Sequence, residues 1–144
     1  MSNNYTTIKS LTENIRSVLL AQGIKFSNST YEDEKSIPLA LLPFGEIFYR
    51  GEDFEHTNGQ KAGYAIANFS IKVTAQDRSN IERVKSVQKW VHAVRDALTV
   101  NALNIVDLSA SKLVSLVNTE NAEITYNAEY ATITHSTKIR YRET

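Results

Sequence analysis

The stretch from Ala67 to Leu98, ANFSIKVTAQDRSNIERVKSVQKWVHAVRDAL, changes its hydrophobic period once, and that change constrains the fold more than any other feature. Through Ala75, apolar and polar residues alternate, the period of two that sends successive side chains to opposite faces of a strand. From Ile81 the apolar residues recur every three to four positions, the spacing of one helical face. A half-buried strand therefore runs through one short turn into a long helix. Each has an apolar side to bury, and the helix must lie back on the sheet.

The strand puts Ala65, Ala67, Phe69, Ile71, Val73 and Ala75 on one face, with Asn68, Ser70, Lys72 and Thr74 on the other. The helix opens at Ser79, with Glu82 three residues on, the spacing of a capping box. Val84, Val87, Val91, Val94 and Leu98 form its stripe, edged by Ile81 and Trp90; Val91 is mid-stripe and His92 faces out. The stripe is rich in β-branched residues, which lose rotamer freedom in a helix, so tertiary packing must hold this one together.

Similar reasoning covers the rest of the chain. Ile8, Leu11, Ile15, Val18 and Leu19 share a face, and Gly23 stands where a left-handed stop is needed, which predicts a helix from about Thr6 to Gln22. Leu39 to Leu42, held between Pro38 and Pro43, reads as an edge strand or strand end, and Glu46 to Arg50 as a second strand. The Asn-Gly pair in TNGQ, Thr57 to Gln60, favours a tight hairpin turn. Asn101 to Ser111 reads as a connector. Two or three strands close the chain, and in the last of them Ala131, Ile133, His135, Thr137, Ile139 and Tyr141 share a face. The predicted order is α-β-β-β-α-β-β in a single domain, 1–144. This is an α+β two-layer sandwich, a mainly antiparallel sheet with both helices on one face.

Chemistry is hard to find in this chain. Sixteen basic and sixteen acidic residues cancel, whereas a nucleic-acid-binding surface ordinarily comes with a basic excess. With no cysteine there are no disulfides, thiolate metal sites or cysteine nucleophiles. The N-terminal MSNNYTTIKS is polar, and VLLA is too short for a signal core or a membrane span. That leads us to expect a soluble protein made in the cytoplasm.

His56, His92 and His135 lie far apart in sequence, with no i, i+4 pair, so no metal site is expected. The acidic clusters YEDEK and GEDFEH fall in expected loops that lack the apolar walls needed to shift a carboxyl pKa. Gly45, Gly51, Gly59 and Gly63 fit no phosphate-binding pattern and read as turn or bulge positions. Phe44, Phe48, Tyr49, Phe54, Tyr64 and Phe69 have only Arg50, Lys61 and Lys72 among them, too few cations for a single-strand-binding platform. No enzymatic activity and no cofactor are expected.

The order of elements, the passage FSIKVTAQDRSNIERVKSVQKWVHAVRDAL and the closing AEYATITHSTKIRYR make the chain resemble the tail terminator (tail completion) proteins of long-tailed bacteriophages. The resemblance spans roughly Ile8 to Arg142. It implies a structural virion protein at the head-proximal end of the tail, made in the host cytoplasm. It further implies a homo-oligomer, a hexameric ring, that caps the tail tube, ends its polymerisation and offers a docking surface to a head–tail connector or neck protein. Genomic DNA would pass through its channel without sequence-specific binding, and no membrane is involved. A connector or neck protein of similar size, or a small α+β ligand-binding domain, remains open on the residues alone. The hairpin tip is polar with one large apolar residue. Glu52, Asp53, Phe54, Glu55, Asn58 and Lys61 are therefore the candidate subunit or tube contacts, with Phe54 the anchor and the acids its rim.

Overall fold

A computed structural model describes residues 4–55, 63–104 and 113–143. Helix α1 (Asn4–Ala21) leads to strands β1 (Phe44–Phe54) and β2 (Tyr64–Gln76). Helix α2 (Asn80–Ala97) and a short α3 (Val100–Leu103) follow, then β3 (Val114–Asn127) and β4 (Tyr130–Arg142). The four strands form one antiparallel sheet in the order β1-β2-β4-β3. The α+β two-layer sandwich is as expected, with α1 and α2 on one face.

The alternation in β2 appears as a buried row of Ala65, Ala67, Phe69, Ile71, Val73 and Ala75. It meets the matching β4 row residue for residue, from Ala65 opposite Tyr141 to Ala75 opposite Ala131. Leu11, Ile15 and Leu19 of α1 close over these rows with no exposed surface. Helix α1 stops where Gly23 takes φ +95°, a conformation that costs glycine nothing and other residues a steric clash.

Several expectations need correction. Leu39 to Leu42 is not a strand: Leu39–Leu41 is one turn of 3-10 helix with Leu39 largely exposed. The Leu41 and Leu42 amides turn back to Pro38 O and Leu39 O, at 2.9 and 3.2 Å, instead of joining a ladder, and Pro38 and Pro43 have no amide to donate, so two strands rather than three precede α2. The α2 stripe is also rotated. Its core side is Val87, Trp90 and Val94, while Val84 and Ile81 are exposed and Val91 is half-buried. The indole is the largest apolar surface on the helix, and burying it outweighs burying two smaller aliphatic side chains. Only half of the capping box forms: Ser79 Oγ accepts from the Glu82 amide, but the Ser79 amide goes to Asp77 Oδ1 at 3.3 Å. Thr74, assigned to the polar face, is buried.

The connector is more ordered at its start than its composition implied. After α3, the buried Asn104 side chain donates to Val114 O and accepts from Val114 N, both at 2.9 Å, completing the ladder at the start of β3. Asn14 donates to Leu103 O at 2.8 Å and ties α1 to the same corner. Gly45 is neither a turn nor a bulge. A Cβ there would stand 2.6 Å from Ile24 and 2.7 Å from Phe26, and the Gly45 amide donates to Lys25 O at 2.7 Å.

Candidate functional site

The candidate contacts lie where β1 rises into the hairpin, and a bulge decides how they point. Between Tyr49, opposite Phe69, and Glu52, opposite Ala67, β1 carries two residues against the single Asn68 of β2. Gly51 supplies the φ of +97° that such a bulge requires. The Asn68 amide spans the irregularity, reaching Gly51 O at 3.4 Å and Asp53 Oδ2 at 3.3 Å.

The extra residue shifts the alternation by one, so Glu52 joins Tyr49 on the helix-side face. There both Tyr49 and Tyr141 donate their hydroxyls to the Glu52 carboxylate. Burial first, and then this carboxylate, push the Tyr49 phenol up to about 12, and the Tyr141 phenol is raised by the same causes. Glu52 therefore binds the arm to its own sheet. Glu55 is likewise engaged, accepting from Arg140 Nε at 2.9 Å and from a terminal Arg140 nitrogen at 3.0 Å. That guanidinium lies 3.7 Å over the Tyr64 ring.

The neck of the hairpin is fixed on its other side too. The Glu143 amide donates to Gly63 O at 2.9 Å, and Asn4 donates to the Glu143 side chain at 2.8 Å. Both ends of the described chain thus meet at the hairpin base. From this platform Phe54 projects with 59% of its surface exposed, beside the exposed Asp53. Asn58, Lys61 and His56 lie outside the described residues. Tyr141, Asn68 and Arg140, which hold the arm, were missed as arm residues. Tyr141 was read as facing inward, but only strand register brings it to Glu52.

Across the sheet, a groove of about 240 Å³ opens between α2 and β3. Val91 and Ala122 contribute its apolar floor over the buried His135, with His92, Arg95 and Asn121 around it. A second irregularity in β3, between Thr119 and Asn121, lies at its wall. His135 is buried and donates from Nε2 to Val91 O at 3.1 Å; burial pushes its imidazole pKa below the ordinary value. His92 is exposed. Among the described residues no three His, Cys, Asp or Glu side chains are grouped to hold a metal ion, and no helix is long and apolar enough to cross a membrane.

No protein-family model matches the chain, and no curated protein matches it. Among solved structures, a chain of the "Virion of native gene transfer agent (GTA) particle" superposes with a TM-score of 0.55 at 15% identity. The match covers 91% of this chain and 90% of that one. The two share a fold over nearly their whole lengths.

Proposed function

We propose that this chain is a structural virion protein of a long-tailed phage, a tail terminator. Six copies close into a ring on the end of the tail tube, stop its polymerisation and present a surface to the head–tail connector or neck protein. DNA passes through the ring without sequence-specific contacts, and the role needs no catalysis, cofactor or metal. One observation carries this reading: the whole-chain fold likeness to a component of a virion. The sequence resemblance to tail terminators points the same way.

The shape of the molecule suits the role. The sheet has two different edges, β1 and β3, and pairing the β1 edge of one copy with the β3 edge of the next is a head-to-tail contact, the arrangement that closes by rotation into a ring. The test uses the tail-tube subunit of the same phage. Adding the purified protein should arrest tube growth and leave a cap at one end of each tube. Uncapped tubes that grow at an unchanged rate would contradict the proposal, and binding to the head connector alone would make the chain a neck protein.

A further inference from the structure

We propose that Phe54 of one copy seats in the groove between α2 and β3 of the next copy. The inference deepens the ring reading and rests on it in taking a second copy as the occupant.

Phe54 is a large apolar side chain held out from a braced neck, and it cannot fill the groove of its own chain. It stands opposite Ala65, which pairs with Tyr141, whereas the groove floor is at His135, six residues back along β4. That separation is about 20 Å along the strands, with one strand between β1 and β4 and two between β1 and β3. The groove has room for a ring, since an engineered cavity of about 150 Å³ holds benzene and this one measures about 240 Å³. Val91 and Ala122 on its floor supply apolar contact, over the buried His135.

Charge selects the same pairing. Although the chain is neutral overall, its charges are sorted. From Phe44 to Glu55 there are four acids, Glu46, Glu52, Asp53 and Glu55, against the one base Arg50. Helix α2 carries Arg83, Lys85, Lys89 and Arg95 against Glu82 and Asp96. Arg95 is exposed on the groove rim and has no ion-pair partner among the described residues. Asp53, next to Phe54, is the acid available to it: its Oδ2 accepts from the neutral Asn68 amide at 3.3 Å, whereas Glu52 is bound to two tyrosines and Glu55 to Arg140. The one acid at the groove, Glu120, is paired with Lys138 at 3.3 Å. An acidic aromatic arm and a basic-rimmed groove at opposite sides of one sheet make a junction between copies.

The experiment measures the mass of the full-length protein in solution by light scattering. Wild type should be a closed oligomer, and Phe54→Ala and Arg95→Glu should each be folded monomers with the wild-type circular dichroism spectrum, since both side chains are exposed, and with melting lowered only by the loss of assembly. An equimolar mixture of the two variants should form a one-to-one dimer and nothing larger. Such a dimer uses the only intact junction, the arm of Arg95→Glu in the groove of Phe54→Ala. The charge-reversed double variant Asp53→Arg/Arg95→Glu should recover the oligomer. If both single variants keep the wild-type oligomer, this junction is wrong while the ring survives. If wild type is itself a monomer at every concentration, junction and ring both fall.

Discussion

Replacing Val94 and Val84 by alanine, one at a time, compares the same chemical change at two places on α2. Val94 is fully buried against the sheet, whereas Val84 is 37% exposed. Each substitution removes two methyl groups, about 1.6 kcal/mol of transfer free energy where the site is wholly buried. At Val94 the hole left in a close-packed core adds about 1 kcal/mol. Alanine returns roughly 0.5 kcal/mol at either position through its better helix propensity.

The net is a loss of about 2 kcal/mol at Val94, and at Val84 a change within about 0.5 kcal/mol of zero. For a chain of this size that corresponds to a Tm lower by about 4–8 °C for Val94→Ala and moved by less than about 2 °C for Val84→Ala. Calorimetry at one protein concentration measures both and keeps any linkage to assembly equal. Equal losses, or a larger loss at Val84, would refute the helix phase and with it the placement of Trp90 in the core.

Other substitutions probe single contacts. Gly45→Ala should lower stability by about 1–3 kcal/mol, because the new methyl must displace Ile24 or Phe26, and thermal melts read this directly. Asn104→Ala leaves both backbone groups of Val114 without their partner; a loss of about 2–4 kcal/mol and early amide exchange at Val114 are expected. Burial holds the His135 imidazole below its ordinary pKa, so the unfolded chain binds the proton first. The associated stability is complete above about pH 6.5 and is lost as pH falls through the folded value. His92 and Arg95 of α2 and Glu120 of β3 line the same groove, while the hydrogen bonds that oppose the effect of burial come from the backbone at Val91 and Ile71. Denaturant titrations of wild type and His135→Phe should diverge as pH falls below 6.5, with wild type losing more.

What could be read from the sequence was whatever depended on residues close together in the chain. The alternation of β2, the N-terminal helix with its Gly23 stop and the inward row of β4 all follow from local periodicity, and two rows of opposite faces suffice to give the α+β class. What failed depended on partners remote in sequence. Periodicity alone centred α2 on its valines, yet the larger indole of Trp90 takes the core and leaves Ile81 and Val84 exposed. Gly45 looked like punctuation because its crowding by Ile24 and Phe26 is visible only once the edge of β1 is in place.

The candidate site divides in the same way. An isolated aromatic among acids marked Phe54 as unusual, and the structure leaves it exposed. That Glu52 and Glu55 are held by Tyr141 and Arg140, 89 and 85 residues away, follows from strand register and the β1 bulge. Local sequence carries no trace of either.

The central claim is that copies of this chain close into a ring that caps a tail tube. Electron microscopy of the purified full-length protein, alone and mixed with tube, tests it most directly. The account predicts six-fold rings with an open centre, seated one per tube end. Monomers, open filaments or tubes with bare ends would contradict it.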